Sequence, residues 1–185
     1  MREKWRRIGA PQTFYQKKYV HKFFSDLVYF RAYRSGSTTG FSNYSFHDVN
    51  VENDQLLLPP GNFPTSEALF QASKKPDDSE YILKQESSRN PRVAKKLGER
   101  IIPSEEWNEK RYEIMKQITK LKLEQHPQIL ANLTRTGQRN IIYNSRRDNF
   151  FGVGDRGTGA NLMGIILMEA RNARYREFSP TFKKI

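Results

Sequence analysis

The sequence predicts a predominantly helical α+β domain with a small β-sheet near its N-terminal side, and three features point that way. Segments with apolar residues at helical spacing fill the second half. Short runs rich in β-branched and aromatic residues lie at 27–33 and 140–143. Alternating strand–helix–strand units, the mark of a parallel α/β sheet, are absent. At 185 residues the chain is long enough for one domain with a substantial core.

Leu27 to Tyr33 reads as a strand, followed by a flexible turn over 35–40. Segments 46–51 and 55–58 are expected to form a hairpin around Asn53-Asp54, and Pro59-Pro60-Gly61-Asn62 breaks the chain after it. Pro64-Thr65-Ser66 then starts a helix. Pro91 to Leu97 is a helix with Gly98 as its C-cap. Ser104 caps a long helix over 105–125, in which Trp107, Ile114, Ile118 and Leu121 face the core with Arg111 in the same stripe. Pro127 opens a short helix through Leu133 that closes at Gly137, and Asn140 to Tyr143 is a further strand. Residues 161–173 are apolar on nearly every side and are expected to form the central buried helix.

Composition narrows the function classes. With 36% hydrophobic and 28% charged residues the chain reads as soluble and globular, and no apolar run could cross a bilayer. Its basic start has no apolar segment of a secretory signal behind it, so a cytoplasmic location without membrane attachment is expected. There is no cysteine, and His21, His47 and His126 are far apart in sequence, so no metal site is expected. The net charge of +12 sits at the ends: residues 1–34 carry nine Lys/Arg against two acids, and residues 171–185 carry five against one. Basic termini suit a phosphate-bearing partner such as nucleic acid. Trp5, Phe14, Tyr15, Tyr19, Phe23 and Phe24 are interleaved with the N-terminal charges, which suits base stacking and equally suits docking on the core.

Three segments could carry chemistry. In Pro64 to Lys74, Glu67, Gln71 and Lys74 (i, i+4, i+7) share one helical stripe, opposite Ala68, Leu69, Phe70 and Ala72. A carboxylate, an amide and an amine in a row can position, protonate and attack a polar substrate. The same pattern also describes an ordinary solvated helix face. In Asp148 to Asn161, glycines crowd the entry to a helix, where backbone N–H groups favour an anion. Gly152, Gly154 and Gly157 spell G-x-G-x-x-G, but Arg146-Arg147-Asp148-Asn149 is not the apolar strand that a dinucleotide fingerprint needs, and a structural turn is the alternative. Gly40-Phe41-Ser42-Asn43-Tyr44 places small polar groups between aromatics that could stack on a base and bond to its edge.

Taken in order, these pieces resemble one family. Gly40-Phe41-Ser42-Asn43-Tyr44, Pro64-Thr65-Ser66-Glu67 with Phe70-Gln71-Ala72 and Lys74, Ala94-Lys95-Lys96-Leu97-Gly98, Trp107 and Met115 look like the YbiA-like (NADAR) family. So do Lys122 with Gln125-His126, Leu133 with Thr136-Gly137, Asp148 with Gly152 and Gly154, and Gly159 through Arg171. The resemblance covers roughly residues 28–172, leaving residues 1–27 as a basic extension and 173–185 as a basic tail.

The resemblance implies an N-glycosidase that cleaves a ribose C1–N bond and needs no cofactor. Its substrate would be an ADP-ribosylated guanine nucleotide or nucleic acid, or an early riboflavin-pathway intermediate. A paired ADP-ribosyltransferase is an implied partner in the first case. A non-catalytic module that binds nucleic acid or ADP-ribose is the competing class. By position, Glu67, Lys74 and Asp148 would be catalytic, with Lys74 attacking C1, Glu67 moving the proton, and Asp148 stabilising charge or orienting water. Phe41, Ser42, Asn43, Gln71, Trp107, Phe151, Gly152, Gly154 and Asn161 would bind substrate, the glycines and Asn161 holding a pyrophosphate. Two departures stand out: Phe151 replaces the family's Trp, and Gly98-Glu99-Arg100 carries one inserted residue.

Overall fold

The computed structural model describes residues 26–32, 36, 38–52 and 57–178, with side chains to residue 174. The aromatic residues expected to stack near the N-terminus, and the end of the basic tail, lie outside it. In chain order the elements are β1 (Leu27–Phe30), β2 (Val49–Val51), β3 (Gly61–Phe63), α1 (Ser66–Ala72), α2 (Ser79–Glu86), α3 (Pro91–Gly98), α4 (Glu105–Gln125), α5 (Pro127–Thr134), β4 (Asn140–Tyr143) and α6 (Leu162–Phe178). The architecture is mostly helical α+β with two-stranded sheets, as the sequence predicts. Contacts divide the described residues into two compact units, 42–126 and 26–41 with 127–178.

In the first unit β2 pairs antiparallel with β3, Val49 lying opposite Phe63 and Val51 opposite Gly61. The expected hairpin turn at Asn53-Asp54 and residues 55–56 lie outside the described residues, Leu57 and Leu58 are not in a strand, and β2 pairs with 61–63. Gly61 (φ 141°) opens the new strand in a conformation closed to other residues, with the Glu86 carboxylate where a Cβ would stand. Four helices follow, each with a side-chain N-cap. Thr65 accepts from the Ala68 amide, Asp78 from Tyr81, Asn90 from Arg92 and Ser104 from Trp107. Helix α1 packs against α2, α3, α4 and β3, so it is enclosed on every side. Burying a side chain such as Leu69 or Ile118 completely contributes about 1.5–3 kcal/mol.

Two helix readings change. Helix α2 has no counterpart in the sequence prediction, because only Tyr81 and Gln85 of its eight residues are buried and its apolar stripe is too thin to show. Helix α3 runs through Gly98 and is capped by Glu99 in right-handed geometry, so Gly98 is not a left-handed cap. The glycine is needed for another reason: a Cβ there would run into Gln71 Oε1.

In the second unit β1 pairs with β4 in parallel, Val28 beside Ile141 and Phe30 beside Tyr143. The single N-terminal-side sheet of the prediction is therefore two sheets, and one of them recruits a strand from late in the chain. Helix α6 packs on β4 and α5 on α6, around Phe30, Phe41, Ile129, Leu133, Ile141, Leu162 and Ile165. Gly164 lets α6 approach β4 where the Ile141 carbonyl leaves no room for a Cβ. Buried Arg171 donates to Thr136 Oγ1 (2.7 Å) and the Arg139 carbonyl (2.8 Å), closing the turn after α5.

Candidate active site

The stripe on α1 is not a solvated face. Glu67 is 6% exposed and Gln71 is 5% exposed. A carboxylate is rarely so buried without partners, and Glu67 Oε1 accepts from Gln71 Nε2 at 2.8 Å, one turn along the helix. The Glu67 amide donates to the Asn43 carbonyl at 3.1 Å, which seats the start of the helix against the 42–45 loop. Gln71 Oε1, against Gly98, is buried with no hydrogen bond among the described residues, a place where an incoming donor would gain.

Lys74 lies beyond the helix, which ends at Ala72 with Ser73 as cap. The chain keeps its helical sense for one more step, the Lys74 amide donating to the Gln71 carbonyl at 3.1 Å. Lys74 Nζ donates to the Gly98 carbonyl (2.7 Å) and stands 5.5 Å from the centre of the Trp107 ring. Burial lowers the pKa of this amine; Glu67 and Glu99 pull it back up, and Lys95 adds to the lowering. The indole is held in turn. Trp107 Nε1 donates to Ser73 Oγ (3.0 Å), whose hydroxyl donates to the Phe70 carbonyl (2.8 Å), and Phe70 packs against the ring at 5.1 Å. Ser73 escapes the sequence reading, since one serine at a helix end signals only a cap.

The 42–45 loop is fastened by its own polar groups. Ser42 Oγ accepts from the Tyr44 amide (3.1 Å), and Ser45 Oγ donates to the Ser42 carbonyl (2.8 Å). Asn43 Nδ2 reaches Met115 Sδ at 3.2 Å, and its Oδ1 is buried with no hydrogen bond among the described residues. Ser42 itself is buried. Phe41, expected to stack on a base, is a fully buried core residue of the other unit, edge-on to Phe30 at 5.9 Å. His47 and His126, distant in sequence, stand 5.1 Å apart in the first unit, with His126 Nε2 2.6 Å from the Asp48 carbonyl oxygen.

The glycine-rich loop of the second unit corrects a sequence expectation. The amides at the entry to α6 are bonded within the loop and are not open to an anion. Gly159 donates to the Val153 carbonyl, Ala160 to Asn149, Asn161 to Gly152, Leu162 to Phe150 and Met163 to Phe151. Asn161, fully buried at φ 53°, uses its side chain on β4: Oδ1 accepts from the Tyr143 amide (2.8 Å) and Nδ2 donates to the Ile141 carbonyl (2.9 Å). The pyrophosphate role expected of Asn161 and of the helix start is therefore withdrawn. Gly152 is needed because Ser145 and the Asp148 carbonyl crowd it, and Gly154 (φ 71°) because it takes a left-handed turn against Asn149. Asp148 Oδ1 accepts from the Phe150 and Phe151 amides (2.9 and 2.8 Å), and the two phenyl rings meet edge-on at 4.7 Å, both buried.

The class this defines is a mostly helical α+β domain with a buried carboxylate and, one helical turn past its amide partner, an amine, its pKa lowered by burial, beside an indole. The chain belongs to the NADAR domain family, whose profile matches residues 29–173. N-glycosidase YbiA of Escherichia coli K12 is 30% identical over 133 residues, spanning 71% of this chain and 78% of that protein. N-glycosidase Npun_R5314 of Nostoc punctiforme is 27% identical over 135 residues, spanning 71% and 82%. Riboflavin biosynthesis protein PYRR of Zea mays is 26% identical over 145 residues, 71% of this chain but 23% of that protein. The NMR structure of E. coli YbiA superposes with a TM-score of 0.68 at 25% identity, covering 85% of this chain and 90% of that one.

Proposed function

We propose that this chain is an N-glycosidase that hydrolyses a ribose C1–N bond, removing ADP-ribose from guanine in a nucleotide or nucleic acid. The observation that carries the reading is the pairing of buried Glu67 with Lys74, an amine whose burial favours the neutral, nucleophilic form. The family membership and the names of its relatives support the bond class.

In the proposed reaction the ribose C1–O4 bond breaks, O4 keeping its electron pair and taking the proton given up by the base nitrogen, so that C1 is doubly bonded to that nitrogen. Neutral Lys74 Nζ adds to C1, forming a new C–N bond and a carbon that carries two nitrogens. Glu67, in its acid form, gives a proton to the base nitrogen, and the C1–base bond breaks with its electron pair leaving on the base. A lysine iminium remains. Water adds to it, Glu67 takes up a proton, and breaking the C1–Nζ bond frees the aldehyde sugar and Lys74. The Trp107 face beside the amine suits stacking on base or sugar, and the Gln71 and Asn43 oxygens, without partners among the described residues, suit donors on the substrate.

A second reading, cleavage of a riboflavin-pathway aminopyrimidine glycoside, is favoured by the relative named for riboflavin biosynthesis. Incubation with ADP-ribosylated guanosine, an ADP-ribosylated oligonucleotide and that aminopyrimidine, with released ribose products measured, separates the two. Release from the guanine substrates is expected; release from the aminopyrimidine alone supports the second reading, and no release from any of them rejects the enzyme. An ADP-ribosyltransferase that writes the modification is the functional partner this proposal requires, and a cytoplasmic location suits it.

A further inference from the structure

Lys122 is a buried lysine that the proposed chemistry does not use. It is 3% exposed, and its Nζ donates to the Ser42 carbonyl (2.8 Å) and to Ser45 Oγ (2.6 Å). Met115, two turns earlier on the same face of α4, meets Asn43 in the same loop. One helix thus grips residues 42–45 at two points. The carbonyl of Asn43, between those points, receives the amide of Glu67.

We infer that Lys122 is a positioning residue for Glu67: by fastening the 42–45 loop to α4 it fixes the carbonyl that seats Glu67, and so sets where the carboxylate stands. The inference rests on reading Glu67 as a site residue. Lys122 forms no salt bridge among the described residues, and burial brings its pKa down to about 7. Among the titratable groups it acts on is His47, whose pKa is lowered by burial first and then by Lys122 and His126 against the opposing pull of the largely exposed Asp48. None supplies the counter-charge that would justify a buried ammonium for electrostatic reasons. A neutral amine still has two N–H groups, one for each acceptor it meets. What the burial of Lys122 achieves is therefore the fixing of a loop.

The test reads amide hydrogen exchange at Glu67 in the intact protein, with the Ile118 amide of α4 as a control for global opening. In Lys122→Met and in Ser45→Ala, Glu67 exchange is expected to rise by about tenfold with Ile118 unchanged, and kcat to fall by about tenfold with KM within about twofold. Ser45→Thr, which keeps the hydroxyl, should restore both. Should Lys122→Met fail to fold, Ser45→Ala decides alone. Glu67 exchange that stays at the parent rate, or rises only in step with Ile118, overturns the inference. A parent protein inactive on all three substrates sinks the glycosidase reading, whereas the exchange comparison still judges the positioning role.

Discussion

The α1 segment and the glycine-rich loop looked alike as candidate sites, yet the fold treats their polar groups in opposite ways. In the loop, amides and side chains are committed to one another: Asp148 to two amides, Asn161 to both sides of β4, and the helix-start amides to loop carbonyls. Around α1, a carboxylate and an amide oxygen are buried beside a half-buried amine, and the Gln71 oxygen has no partner among the described residues. A loop whose helix-start amides and buried side chains are bonded to its own backbone is a scaffold. A buried acceptor without a partner among the described residues is where substrate binding recovers the cost of desolvation.

That contrast can be broken most sharply at Lys74. Lys74→Ala is expected to lower turnover of ADP-ribosylated guanosine by about a thousandfold or more, and borohydride should trap a sugar adduct on the parent and not on the variant. Undiminished turnover would remove the covalent step. Glu67→Gln should lower kcat by about a hundredfold while leaving the melting temperature close to the parent's, since the amide oxygen can still accept from Gln71 Nε2. In the loop the pattern should reverse. Asn161→Ala is expected to cost about 2–4 kcal/mol in denaturant unfolding, through two lost hydrogen bonds and a strained left-handed backbone. The molecules that remain folded should still turn over substrate.

Gly98→Ala tests the wall of the α1 site. Its methyl group would displace Gln71 and disturb the carbonyl that holds Lys74, costing about 1–3 kcal/mol by chemical denaturation along with part of kcat.

Stability should also follow pH with a defined sign. Lys122 has a folded pKa of about 7 against an ordinary 10.5, so between these values the unfolded chain binds a proton that the fold does not. Stability is then lowest below about pH 7 and rises as the pH climbs through that window. His47, its pKa lowered first by burial, and Lys74 act with the same sign in their own ranges. A Lys122→Met variant should show a flatter rise in melting temperature between pH 7 and 9.

Much of this was legible in the chain because its signals are local. Ser104 before 105–125, Pro127, the run from Leu162 to Met168, and Thr65 ahead of Glu67 mark helices through capping and period alone. Helix α2 was hidden because its burial depends on two residues, and β3 because a strand beginning at Gly61 has meaning only beside Val49–Val51. The family motifs brought out Glu67, Lys74, Trp107 and Asp148 without showing which of their polar groups would find partners.

Composition and periodicity by themselves determined a helical α+β chain with basic ends and an acid–amide–amine sequence at helical spacing. Only the tertiary structure decided that the acid is buried, that the amine sits between a carbonyl and an indole, and that the glycine loop closes on itself. The physical reason is that spacing along a helix fixes which side chains share a face. Whether that face meets water, an apolar wall or a hydrogen-bond partner depends on segments tens of residues away, and it is this surrounding that sets charge state and reactivity.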